Sequence, residues 1–167
     1  EGSYTVSLKV TDAQGNSNTK TIENMVTVVD DCPNCISYGN MDYATAVTLV
    51  NFNEINNVTG KEAPYTDYSN DISTTVEAGD SHNLTVNVNT DGNYTVYAKA
   101  WVDWNQDLDF DDSNEEYDLG FATNTADGPT DLSPLTITIP QNALNGSTTM
   151  RVSGKYNGTP TPCETNF

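Results

Sequence analysis

The sequence predicts an all-β protein, an antiparallel β-sandwich or jelly-roll-like fold, on three observations. Hydrophobic residues make up only 35% of the chain while Asn, Thr, Ser, Asp and Gly are abundant, a mix that suits a thin sandwich with many polar turns. Apolar residues recur at alternate positions in runs of strand length, and Gly-, Asn- and Asp-rich turn signals separate the runs. Only NMDYATAVTL and PQNALNG leave room for a helical turn or two. A length of 167 residues fits one ordinary domain, or one domain plus part of another.

The first element is a hairpin. Tyr4, Val6, Leu8 and Val10 alternate, TDAQGNSNTK makes a polar turn, and Ile22, Val26 and Val28 lie on a second extended run. The stretch GSYTVSLKVTDAQGNSNTKTIENMVTV resembles the last two strands of a PKD domain, an immunoglobulin-like module of secreted and surface proteins. The resemblance implies that residues 1–30 are the C-terminal part of such a domain. Two strands cannot bury their inner face alone. The expectation is therefore that the polypeptide extends upstream or that another surface completes this sheet.

Asp30, Asp31 and Pro33 mark a junction, so a second unit is expected over residues 31–167. The runs Ala44 to Val50 and Ile55 to Thr59 are β-prone. Leu84, Val86 and Val88 alternate, as do Tyr94, Val96, Ala98, Ala100 and Val102, with the Asp91-Gly92 turn signal between them. Leu135, Ile137 and Ile139 form a further strand ending at Pro140, and Met150 with Val152 another. In the 94–104 strand, alternation places Trp104 inward with Val96 and Val102. Tyr97, Lys99 and Trp101 fall on the opposite face. Tyr97 and Trp101 are thus the candidate ligand surface, on which sugar rings of a polysaccharide could stack.

Beyond Val102 the strand runs directly into an acidic stretch. Eight of the chain's 24 acidic residues fall between Asp103 and Asp118, with no Lys, Arg or His among them. Carboxylates about 4 Å apart repel by roughly 1 kcal/mol per pair even in bulk water, so an ordered loop of this kind requires a counter-ion. With Asp103 at position 1, Asn105, Asp107, Asp109 and Asp111 occupy the odd positions that follow. Alternating carboxylates and amides can supply the six to eight oxygens that calcium takes. The candidate ligands of one Ca2+ ion are Asp103, Asn105, Asp107, Asp109 and Asp111, with Asp112 or Glu116 closing the shell. Position 6 is Leu108, which resists the left-handed backbone of a sharp turn.

The blocks CISYG, WVDWNQDLDFDD and MRVSGKYNGTPTPCE occur in that order. Together they resemble the GEVED domain, a module of secreted proteases and adhesins, mostly from Bacteroidota. The resemblance covers Cys35 to Glu164 and implies an extracellular accessory role. Such domains usually end in a DGEVEDY-like strand, which the sequence up to Phe167 does not include, so an open sheet edge is expected. The acidic spacing also resembles the calcium loops of dockerin and thrombospondin type-3 repeats.

Cys32 and Cys35 have CxxC spacing, which suits a redox pair, half a zinc site or a local disulfide. The GEVED resemblance instead implies a Cys35–Cys163 disulfide, with Cys32 left over or competing for Cys35. It also places Arg151 and Lys155 near the acidic loop or the C-terminal strand, where either could pair with a carboxylate.

A net charge of -18 argues against nucleic acid and anionic membranes as partners, since these bind through cations. No run approaches the roughly 20 apolar residues of a membrane-spanning helix. The single histidine, His82, reads as a turn residue beside Asp80 and Ser81, and no HExxH, GxSxG or phosphate-loop pattern occurs. The expected function is thus a non-catalytic, calcium-stabilised extracellular module that contacts a polysaccharide or a surface protein. Two alternatives stand beside it: a filament or stalk subunit that self-associates through open sheet edges, and a carbohydrate- or substrate-binding module of a secreted hydrolase.

Overall fold

A computed structural model describes residues 2–28 and 35–167. The chain divides into two compact units, Glu1–Cys32 and Pro33–Phe167. In the first, β1 (Gly2–Thr11) pairs antiparallel with β2 (Ser17–Val28), with a register shift between Tyr4 and Val6. Asp12 closes the turn: its Oδ1 accepts the amides of Gln14 and Asn16, and Gly15 takes φ 88°. Tyr4, Val6, Leu8, Val10 and Ile22 are exposed.

The second unit is built from β3 (Ala46–Phe52), β4 (Ile55–Val58), β5 (Ser81–Asn89), β6 (Thr95–Val102), β7 (Glu116–Thr123), β8 (Gly128–Pro129), β9 (Leu135–Thr138) and β10 (Met150–Tyr156). One sheet runs β4-β3-β5, with β8 and β9 both pairing with β5; the other runs β10-β6-β7. All pairings are antiparallel, the described residues contain no helix, and the sheets form a sandwich. The predicted alternation sets its core. Leu84, Val86 and Val88 from β5 meet Val96, Ala98, Ala100 and Val102 from β6, with Phe52, Trp104, Leu119, Ile137 and Ile139 completing the cluster. The Asp91-Gly92 turn has positive φ at both residues, 54° and 91°, as a tight hairpin connection needs. At Gly154 a Cβ would sit 3.3 Å from Val96 and 3.4 Å from Val47, so glycine lets β10 approach the facing sheet.

Two sequence readings are revised. Strand β7 is absent from them because Glu116, Asp118 and their neighbours dominate its composition. Only Tyr117 and Leu119 carry its inward phase. His82 lies in β5 opposite Ile137 and edge-on to Phe52 at 5.8 Å, in a strand and not a turn.

The Cys35–Cys163 disulfide is present, with a sequence separation of 128; Cys32 lies outside the described residues. The segment around Cys163 runs back along the outer side of β10. Pro162 O accepts a hydrogen bond from Arg151 Nη1 at 2.6 Å, and Lys155 Nζ pairs with Glu164. Between the sheets lies a cavity of about 450 Å³, lined by Val50, Ile55, Val76, Trp104, Thr148 and Met150 among others.

A disulfide spanning 128 residues removes most of the loop-closure entropy of the unfolded chain. The Cys35→Ala/Cys163→Ala variant is expected to lose about 4–5 kcal/mol on the chain-entropy model. Urea denaturation followed by Trp fluorescence measures this; an unchanged midpoint would remove the disulfide from the account of stability.

Candidate metal centre

Strand β6 ends at Val102, and the next residue, Asp103, is buried at the mouth of the acidic loop. Its carboxylate folds the loop back on itself: Oδ1 accepts the amide of Asp107 at 3.2 Å and Oδ2 that of Leu108 at 3.1 Å. Downstream, each acceptor takes the amide two residues on. Asn105 Oδ1 binds Asp107 N, Asp107 Oδ1 binds Asp109 N, and Asp109 Oδ1 binds Asp111 N. Asx turns of this kind are local, so the alternating Asp/Asn pattern by itself coils the loop.

The coil gathers Asp107, Asp109 and Asp112, with carboxylate oxygens that all lie within 4.8 Å of one another. The Asn105 side-chain amide sits against two of them, its Nδ2 donating to Asp107 Oδ2 at 2.9 Å and to Asp112 Oδ2 at 2.6 Å. These three aspartates are exposed, and acidic groups in water do not by themselves demand a cation.

Glu115 does. It is 2% exposed, and its Oε1 accepts the Trp104 amide at 2.9 Å. Its Oε2 is buried and has no hydrogen-bond partner among the described residues. Burial pushes the Glu115 carboxyl above its ordinary range, and the charges of Asp103 and Asp107 add to this, against the Trp104 and Asn105 amides. A buried carboxylate with one unsatisfied oxygen beside two more acids is costly unless a proton or a cation neutralises it. The donor set is all oxygen, carboxylate-rich and partly buried, which fits calcium.

The structure redistributes the predicted ligands. Asp107, Asp109 and Asp112 come together with Asn105 bonded to two of them, while Asp103 and Glu115 lie at the foot of the loop, outside that group. Asp111 is exposed and lies outside the Asp107/Asp109/Asp112 group. Glu116 is a correction: it points away from the loop, pairing with Lys99 Nζ at 2.6 Å and accepting Trp101 Nε1 at 3.2 Å. The reason is the two-residue period of β7. Tyr117 packs against the core and Leu119 lies within it, so Glu115 shares their phase and Glu116 faces the other side. That phase was readable in EYDL and is the signal that would have found Glu115.

The Leu108 expectation is also corrected. Leu108 adopts the left-handed region at φ 76°, and Gln106 at 58° does likewise. The amide of Leu108 must turn inward to reach Asp103 Oδ2, and this bond holds the residue there.

Of the proposed ligand surface, Trp101 is a second correction. It does lie on the outer face of β6, but it is fully buried. It stands between Arg151 and Glu116 in register, and Arg151 is itself covered by the Tyr65 and Phe110 rings and by Pro162. The half-exposed Tyr97 instead has Phe121 as its ring partner, centroids 5.4 Å apart.

Residues 97–167 match the family model of the GEVED domain. The matched region holds the acidic loop, β7, β10 and Cys163. No curated protein and no solved structure matches the chain.

A left-handed L-residue costs roughly 1–2 kcal/mol, against roughly 0.5–1 kcal/mol for the extra unfolded-state freedom of glycine. Leu108 is 48% exposed and gives up little packing. Leu108→Gly is therefore expected to stabilise the protein by about 0.5–1 kcal/mol, read as a higher denaturation midpoint. A destabilised variant would mean that the side chain packs productively.

Proposed function

We propose that residues 35–167 form a non-catalytic, calcium-stabilised module of a larger extracellular protein, with the ion held by Asp103, Asn105, Asp107, Asp109, Asp112 and Glu115. The observation that carries this reading is the buried Glu115 Oε2, unpartnered among the described residues and set beside the loop acids. Calcium there neutralises the acids and ties β6 to β7. The role we assign is structural, because the acids lie between the end of β6 and the start of β7. The GEVED match and the Cys35–Cys163 disulfide support an oxidising, extracellular setting.

A second reading, self-association by strand addition, is favoured by one observation. Strand β10 is the edge of its sheet. The bonds Asp103 N to Thr149 O and Asn157 N to Thr95 O set the phase in which odd-numbered residues of β10 bond β6. Met150, Val152, Gly154 and Tyr156 therefore turn their backbone groups toward the open edge.

Calcium at a hundredfold excess over Kd should stabilise the fold by about 2.7 kcal/mol, seen as a rise in Tm of several degrees that a chelator reverses. Glu115→Gln should weaken calcium binding in titration calorimetry at least tenfold, whereas Glu116→Gln leaves it within twofold. No Tm shift in millimolar calcium, or equal effects of the two variants, would sink the assignment. For strand addition the expected result is a mass that rises with concentration in sedimentation and falls to monomer in Val152→Pro; a monomer throughout excludes it.

A further inference from the structure

We infer that the acidic loop is a calcium-dependent clasp for the segment 144–149, and through it sets one wall of the cavity between the sheets. The inference rests on the calcium reading of the loop, and goes beyond it in naming what the ion controls.

The segment leading into β10 is polar and irregular, and its hydrogen bonds run to the first limb of the loop. Leu144 N donates to Trp104 O at 2.9 Å, and Gln106 Nε2 donates to Leu144 O at 3.1 Å. Thr148 Oγ1 donates to Asp103 O, and Asp103 N donates to Thr149 O at 3.4 Å. Gly146 lies against the Gln106 side-chain amide, where a Cβ would come within 3.3 Å. Residues 103–106 thus bond the acidic loop through the Asp103 carboxylate and the Trp104 amide, and 144–149 through the Asp103 amide, the Asp103 and Trp104 carbonyls and the Gln106 side chain.

The first limb is in turn fixed by the loop's acids. Glu115 Oε1 holds the Trp104 amide, and the Asp103 carboxylate holds the amides of Asp107 and Leu108. Without a counter-ion, repulsion among Asp103, Asp107 and the buried Glu115 works against these same bonds. With one, the limb is fixed and so are the carbonyls of Asp103 and Trp104 that anchor 144–149. Trp104, Ser147, Thr148, Thr149 and Met150 all line the cavity, so order in the clasp becomes order in its wall. By linkage, whatever loosens 144–149 must also weaken calcium.

The test combines calorimetry with hydrogen exchange on the full chain, using calcium alone as the probe. The expected result is calcium binding together with exchange at the Leu144 amide slowed tenfold or more, while amides of the β3–β5 pairing change less than twofold. In Thr148→Val, which removes the bond to Asp103 O but no proposed ligand, calcium affinity should fall about three- to tenfold. Calcium that binds and slows exchange within 103–115 but leaves Leu144 unchanged overturns the clasp and spares the calcium site. Absence of binding overturns both.

Discussion

The second unit depends on how it accommodates the buried carboxylate of Glu115. Strand β7 must begin where it does, because Leu119 fills the core and Tyr117 packs against it, and period-two alternation then drives Glu115 inward as well. Its Oε1 is spent on the Trp104 amide, which fixes the start of the loop against the end of β6. Its Oε2 faces a region already crowded with negative charge. Packing of apolar residues on β7 therefore imposes an electrostatic requirement at the strand's end, which the proposed calcium ion would meet.

The same alternation divides two adjacent glutamates into different environments. Glu115 lies under the loop. Glu116 lies on the outer face, where Lys99 and the Trp101 indole compensate it. That outer face is not a free surface near Trp101. Arg151 stands beside Trp101 on β10, stacked by Tyr65 and Phe110 and bonded to the Pro162 carbonyl, while the Cys35–Cys163 disulfide pins the segment that covers it. Aromatic residues that looked suited to stacking sugars are spent on closing the sandwich. Tyr97, paired with the exposed Phe121, is less covered than Trp101.

Two non-glycine residues of the acidic loop carry backbone strain without an Asn or Asp side chain to favour it. Leu108 and Gln106 take left-handed conformations that glycine would adopt more readily, and the amide hydrogen bond from Leu108 to Asp103 compensates part of that cost. Tight coiling of the loop thus follows from local Asx chemistry, whereas its anchorage follows from long-range bonds to 144–149.

The sequence by itself determined the local features: most of the strands though not β7, the inward phase of Val96, Val102 and Trp104, the Asp91-Gly92 turn, and the alternating acids that coil the loop. Each depends on side-chain period or on groups within a few residues, so each leaves a pattern in the chain. Tertiary structure alone decided that Trp101 is covered, that Glu116 pairs with Lys99 and that 144–149 hangs from the loop's first limb. These depend on strand register and on segments that meet across 15 or more residues of chain. A one-residue difference in phase moves a carboxylate from water to the interior, and what covers each face is set by segments distant in the chain.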